Sequence, residues 1–160
     1  MITLSVKKHE KVRRLVFETP VYKVMLVREG SVVAEPFIRS PEDVARVVTK
    51  HLTGVDREHF VGLYLSSANG LIGVHTLSIG TLNASLVHPR EVFKLAYLLN
   101  AASVVVSHNH PSGNVEPSRE DIEITKQLAE SGKILGIPLH DHVIVTEHNG
   151  YTSLAERGVL

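Results

Sequence analysis

The spacing of apolar residues divides the chain into short strands and amphipathic helices. Apolar runs and period-two alternation indicate strands, whereas apolar residues three and four apart indicate helices. The predicted strands cover residues 22–27, 31–38, 58–66, 71–78, 103–106, 142–145 and 151–154. The predicted helices begin near Ser40, His88 and Pro117. Because hairpins and helices are interleaved, we expect an α/β (α+β) mixed-sheet sandwich.

Turn and capping residues mark the ends of these elements. Asn69-Gly70 is the strongest hairpin signal in the chain, and Glu29-Gly30 is a second one. Ser40-Pro41-Glu42-Asp43 has the spacing of a helix capping box. We expect residues 1–39 to form an N-terminal extension with a β-hairpin packed on the core, and residues 40–160 to form the main domain of one structural unit.

The helix that opens at Pro117-Ser118 has an apolar stripe along one side. We expect three of its residues to face inward before Gly136 ends it: Ile124, Leu128 and Leu135. Ser118 and Asp121 again have capping-box spacing.

Two histidines follow the predicted buried strand Ser103–Val106, and we expect His108 and His110 just beyond its end. Side chains two residues apart in extended chain point the same way, so both rings can approach one ion. Asp121 follows His110 after ten intervening residues, at the start of a helix. Two imidazoles and a carboxylate are typical of catalytic zinc, which keeps a fourth position for water.

Each member of this set also has a structural interpretation. The two histidines can be an exposed pair, and Asp121 can serve only the capping box with Ser118. A hydrolase also needs a carboxylate that transfers protons. Glu58, at the start of a predicted strand, is the candidate, although it could be an ordinary edge residue. Spacing leaves four other glutamates open: Glu91, Glu116, Glu120 and Glu123.

Composition narrows the class of protein. The 160 residues carry no formal net charge and no cysteine, which excludes disulfides and thiolate chemistry. No window approaches the roughly 18 apolar residues of a membrane span, and the N-terminus lacks the apolar core of a signal peptide. We therefore expect a cytoplasmic protein that does not contact membranes. The basic run Lys7–Arg14 is a solvated segment or, alternatively, an arm that contacts nucleic acid.

Several ordered motifs resemble one known family. His108-Asn109-His110-Pro111-Ser112-Gly113 and the later Pro117–Ile122 match its central motif, H-x-H-P-x6-S-x2-D, at every defined position. The segment 57–65 looks like the strand that carries the family's glutamate, and Leu139–His142 looks like another of its blocks. The chain therefore resembles the RadC-like branch of the JAB/JAMM (MPN-plus) metalloproteases, in a short form without the N-terminal helix-hairpin-helix-like region.

The resemblance implies a cytidine-deaminase-like sandwich and a hydrolase of amide or isopeptide bonds in a peptide or small amide. It implies that His108, His110 and Asp121 bind a single zinc ion. Glu58 would hydrogen-bond the water in the fourth position and act as general base and then acid, and Ser118 would donate to the oxyanion. Deaminase chemistry is not expected, since that site needs cysteines.

Other predictions concern the surroundings of the site and a rival function. Asn109 and Ser112 are expected to shape the loop, and the pair Asp141-His142 either orients a zinc ligand or is a satisfied core pair. The rival is an interaction module associated with DNA repair, with little or no catalysis and with nucleic acid bound through the basic run. Exposed strand edges would permit a homodimer.

Overall fold

A computed structural model of the chain describes residues 20, 22–32, 37–80, 87–147 and 150–160. Within these ranges the chain forms three helices and five strands. In chain order they are α1 (Pro41–His51), β1 (His59–Leu65), β2 (Leu71–Ile79), α2 (Pro89–Leu98), β3 (Ser103–Asn109), α3 (Arg119–Leu135), β4 (Leu139–Val145) and β5 (Tyr151–Ser153). The strands form one mixed sheet in the order β2-β1-β3-β4-β5, in which only β3 and β4 pair in parallel. The predicted mixed-sheet architecture is confirmed.

Local signals in the sequence explain most of the element boundaries. Ser40 caps α1 through a capping box with Asp43, and Gly136 ends α3 in the left-handed conformation at φ 72°. Asn69 also has positive φ, at 60°, and the tight turn it occupies joins β1 to β2 as an antiparallel hairpin.

Helices cover both faces of the sheet. On one face α1 packs its valines against Val61, Leu63, Val105 and Val143. On the other face α2 and α3 pack against Phe60, Tyr64, Val104 and Val106. Successive residues of β3 therefore point alternately to α1 and to the α2–α3 layer. His108 is in phase with Val104 and Val106, so its ring points towards α3.

Three predictions about these elements need correction. The strand predicted over Tyr22–Val27 is wrong, because the described residues 22–32 form no strand and are almost all exposed. The alternation of apolar residues is a local signal, whereas a strand forms only where a neighbouring strand supplies main-chain hydrogen bonds. Of the second strand, residues 33–36 lie outside the described ranges, and Phe37 makes an isolated bridge to Gly70. Leu135, expected to face inward, is 39% exposed at the end of α3.

The basic run Lys7–Arg14 and the segment 81–86 lie outside the described residues. Within the described ranges, no helix combines the length and the apolar character that crossing a bilayer requires.

Gly132 gives the clearest prediction about the packing of α3. A Cβ at this position would lie 2.5 Å from the Ile137 carbonyl oxygen and 3.1 Å from Cζ of Phe93. We expect Gly132→Ala to destabilise the protein by about 1–3 kcal/mol, since backbone cannot yield as a flexible side chain does. The neighbouring Ser131→Ala should change stability by less than about 0.5 kcal/mol. Urea unfolding of both variants checks this, and equal stabilities would contradict it.

Candidate metal centre

His108 lies inside a strand rather than after one. The strand β3 continues to Asn109, three residues beyond the predicted end, because it has a partner on each side there: Phe60 of β1 and Ile144 of β4 both pair with His108. The ring of His108 is fully buried and stacks on that of Phe60, with centroids 5.9 Å apart and planes at 9°. The sheet therefore fixes the first candidate ligand rigidly.

The three predicted ligands converge. The Nε2 atoms of His108 and His110 are 2.9 Å apart. Asp121 Oδ1 lies 3.3 Å from His108 Nε2, and Asp121 Oδ2 lies 3.7 Å from His110 Nε2. Ligand atoms bound at 2.0–2.1 Å around a tetrahedral zinc ion are about 3.3 Å apart, so these separations suit one ion contacting all three side chains.

Asp121 satisfies both interpretations of the sequence at once, one with each carboxylate oxygen. Oδ2 accepts hydrogen bonds from the Ser118 main-chain N–H and hydroxyl, both at 2.7 Å, and so completes the capping box. Oδ1 is buried and accepts no hydrogen bond from any described residue. A buried carboxylate oxygen facing His108 without a hydrogen-bond donor is what a metal ligand requires, since desolvation would otherwise be uncompensated.

Hydrogen bonds behind the histidines determine which ring nitrogens carry protons. The Thr125 hydroxyl donates to the Asp121 carbonyl oxygen at 2.5 Å, so it accepts from Nδ1 of His142, also at 2.5 Å. A neutral imidazole then has its other nitrogen free to accept. His142 Nε2 accordingly accepts from Nδ1 of His108, at 2.8 Å. This leaves the His108 Nε2 lone pair directed at Asp121 and His110.

His110 is oriented in the same way by a different partner. Its Nδ1 lies 2.6 Å from the Asn114 carbonyl oxygen, which can only accept, so Nδ1 donates. In the neutral ring Nε2 therefore also presents a lone pair. Two lone pairs 2.9 Å apart beside a carboxylate repel one another unless a proton or a metal cation lies between them. Two imidazole nitrogens and a carboxylate oxygen are ligands that zinc accepts readily, and the residues present fit that ion.

Glu58 lies next to this cluster. One carboxylate oxygen of Glu58 and one ring nitrogen from each of His108 and His110 lie within 4.8 Å of one another. Glu58 immediately precedes β1, and its carbonyl oxygen accepts a hydrogen bond of 2.8 Å from the N–H of Gly80, which directly follows β2. The structure therefore brings together Glu58, His108, His110 and Asp121, which are separated by up to 63 positions in the chain (121 minus 58).

The remaining predicted residues have distinct places. The Ser118 hydroxyl donates its proton to Asp121 Oδ2, so it serves the cap, and the oxyanion role stays a prediction. Ser112 accepts a long hydrogen bond, 3.4 Å, from the Asn114 N–H within the loop.

Asp141 and His142 have separate roles. His142 orients the ligand His108, whereas Asp141 accepts from the Ser153 hydroxyl and the Ala155 N–H and so fixes the C-terminal turn.

Thr125, which accepts the hydrogen bond from His142, was not predicted from the sequence. Its position four residues after Asp121 on α3, on the same helix face, was the available signal.

The environment shifts the pKa values of the cluster in opposite directions. Burial lowers the pKa of His108 well below its usual value, and it lowers the pKa of His142 to about 4. The Asp121 carboxylate raises the pKa of His110. Although burial opposes ionisation of Asp121, the contacts with His110 and His108 outweigh it and lower the pKa of the carboxyl. Neutral His108 and His142 with an ionised Asp121 are the forms that favour a cation.

The buried, neutral His142 predicts a loss of stability in mild acid for the metal-free protein. Its pKa falls from 6.5 to about 4 on folding, so the unfolded chain binds more protons between these values. Stability should fall by about 3 kcal/mol as the pH drops through this window. His108 acts in the same direction, and the raised pKa of His110 opposes it. Urea unfolding at several pH values with a chelator present checks this, and His142→Gln should show a shallower dependence. An equal dependence would contradict it.

Comparisons with known proteins identify the family of the chain. A family model described as the RadC-like JAB domain matches residues 38–159. A UPF0758 protein of Rubrobacter xylanophilus is 55% identical over 125 residues, which cover 78% of this chain and 54% of the relative. A UPF0758 protein of Bacillus cereus is 53% identical over 121 residues, covering 76% and 53%. One of Desulforamulus reducens is 51% identical over 123 residues, covering 77% and 54%. This chain thus spans about half the length of these relatives.

Proposed function

Because the chain belongs to the RadC-like JAB domain family, we propose that it is a zinc-dependent hydrolase of amide or isopeptide bonds, of the JAMM metalloprotease type. The observation that carries the proposal is the convergence of His108, His110 and Asp121, with the Glu58 carboxylate beside the two imidazoles. A ligand cluster alone could be structural, but a structural zinc site has no need of an additional carboxylate at its open side.

Each residue has a chemical task in this proposal. The nitrogen lone pairs of His108 and His110 and Oδ1 of Asp121 hold the ion. When bound, zinc polarises a carbonyl group and lowers the pKa of a water molecule towards about 7. Glu58 takes a proton from the attacking water and later delivers it to the leaving amine, which a single carboxylate can do in sequence.

The cluster is accessible to a substrate from one side only, the side of His110. His108 and Asp121 are inaccessible, whereas the His110 side chain retains 16% of its exposure. A substrate carbonyl would therefore approach past His110 and Glu58 and meet carboxylate and imidazole groups shielded from bulk water. Ser118 can donate to a developing oxyanion only if its proton leaves Asp121 Oδ2, so its contribution in this proposal depends on rotation of the hydroxyl.

Metal removal tests the proposal. We expect the protein loaded with zinc to hydrolyse some members of a library of aminomethylcoumarin amides of short peptides and isopeptide-linked lysines. Chelation should abolish the activity, and zinc should restore it, since the ion supplies the Lewis acid. Tyr64→Phe is the control. Tyr64 lies at the end of β1 far from Glu58, and the substitution removes only a buried hydrogen bond from its hydroxyl to the Val92 carbonyl, so this variant should stay active. Hydrolysis that persists undiminished without zinc would refute the proposal.

A further inference from the structure

The polypeptide around Glu58 is held by an interaction that the zinc-ligand set does not include. The paired register of β1 and β3 ends at Phe60 and His108. Beyond that point, the side chain of Asn109 takes over the contact. Its Oδ1 accepts a hydrogen bond of 2.7 Å from the His59 N–H, and its Nδ2 donates one of 2.9 Å to the Arg57 carbonyl oxygen.

These two peptide groups lie on either side of Glu58. The carbonyl oxygen of Glu58 itself is held from the opposite neighbour, by the N–H of Gly80 in a hydrogen bond of 2.8 Å. The short segment 57–59 is therefore fixed by main chain from β2 and by one side chain from β3. Without the side chain of Asn109, this segment would lose both of these hydrogen bonds to β3.

Asparagine suits this task for a chemical reason. Its amide offers an acceptor and a donor on one short, planar group, which matches an N–H and a C=O presented by a single stretch of extended chain. Aspartate would keep the acceptor for the His59 N–H, but its second carboxylate oxygen would repel the Arg57 carbonyl oxygen. Alanine removes both contacts. The identity of residue 109, between the two histidines, is thus linked to the placement of a carboxylate 51 positions earlier in the chain (109 minus 58).

We propose that Asn109 is a positioning residue for Glu58, holding the main chain on both sides of the base so that its carboxylate stays beside the two imidazoles. This inference rests on the proposed function for the role of Glu58 as base, but the positioning itself does not require zinc. Catalytic groups must be held within about 0.5 Å of their productive geometry, and a misplacement of about 1 Å can lower turnover about 100-fold.

The three proposed ligands are supported by residues other than Asn109. The contacts that orient His108 and His110 come from His142 and the Asn114 carbonyl, and Asp121 is held by Ser118, so the side chain of Asn109 supports none of them directly. Asn109→Ala should therefore keep the zinc affinity of the wild type while Glu58 moves. A residue that merely stabilised the loop would disturb the histidines and the zinc affinity as well.

Metal-free crystal structures and zinc titrations of the full chain test this. We expect Asn109→Ala to displace the Glu58 carboxylate by about 1 Å or more, to leave His108 and His110 in place, and to bind zinc as the wild type does. Tyr64→Phe, which loses a hydrogen bond on the same strand, should leave Glu58 unmoved. If Asn109→Ala does not fold, Asn109→Asp takes its place. In that variant the side chain at position 109 should move away from the Arg57 carbonyl oxygen, because a carboxylate cannot donate to it. An unmoved Glu58, or zinc affinity lost together with its placement, would overturn the proposal.

The ratio of the effects on kcat and KM is a second test, because a general loss of stability would not lower kcat selectively. With an amide that the wild type hydrolyses, Asn109→Ala should lower kcat about 100-fold with little change in KM. In a Glu58→Gln background it should lower kcat no further, and an additive loss would count against the proposal. A wild type that neither binds zinc nor hydrolyses amides defeats the proposed function, whereas the metal-free structures still decide whether Asn109 positions Glu58.

Discussion

Replacing Glu58 by Gln should lower the turnover of a zinc-loaded enzyme by about 100- to 10,000-fold while zinc binding is retained. Glutamine keeps the shape of the side chain but cannot take a proton from water, and general acid–base groups contribute about this much to rate. The ion would be held as before, because its three proposed ligands, His108, His110 and Asp121, are unchanged. Initial rates on the best amide of the library, with zinc content measured on the same samples, check both parts.

Glu123→Gln is the matched control for this prediction. Glu123 was one of the glutamates that spacing left open as a base, and it lies on the exposed side of α3 in an ion pair with Arg119. Exposed ion pairs contribute little to stability, so this variant should keep the wild-type rate. Equal rates for wild type and Glu58→Gln would contradict the assigned role of Glu58, and a loss confined to Glu123→Gln would point to a different base.

Asp121→Asn should weaken zinc binding by at least about 100-fold. Loss of an outer hydrogen-bond partner already costs about 10- to 100-fold in metal affinity, and here the charged ligand itself is removed. The helix should survive, since an asparagine side chain can still accept from the Ser118 N–H that caps α3. Zinc titration against a chromophoric chelator measures the loss, and urea unfolding measures the stability of the metal-free variant.

The chain contains its own control for the capping role of Asp121. Asp43 occupies the same position in the capping box of α1, with Ser40 in place of Ser118, but no described histidine accompanies it. Asp43→Asn and Asp121→Asn should both lose the roughly 0.3–1 kcal/mol that a negative charge contributes at a helix N-terminus. Only Asp121→Asn should lose zinc. Equal zinc affinities in the two variants would mean that Asp121 is a cap and nothing more.

Local signals predicted much of the fold. The capping boxes at Ser40 and Ser118, the turn at Asn69-Gly70 and the stop at Gly136 all appear where the sequence indicated them. Each is determined by a few consecutive residues, so neighbours along the chain suffice. The length of β3 could not be predicted in this way, because it continues through His108 only where β1 and β4 both supply partners.

At the candidate site, too, motifs within short segments could be predicted, whereas contacts between distant segments could not. Family motifs indicated Glu58, His108, His110 and Asp121, and the alternation around Asn109 explained how two rings could approach one point. The sequence named His142 as a possible support for a ligand but could not choose between that role and a core pair. The contacts of Thr125 and Asn109 were not readable, since they join elements that are distant in sequence. The failed strand over Tyr22–Val27 has the converse cause: a good local pattern without a partner in the described residues does not form a ladder.

If the two imidazoles and Asp121 form a zinc site, the purified protein should carry zinc that depends on His108. Wild type and His108→Ala would be purified under zinc-replete conditions, freed of loosely bound ions and assayed for zinc per chain. We expect about one ion per chain in the wild type and almost none in the variant. Equal zinc content in the two proteins, whether high or negligible, would contradict it.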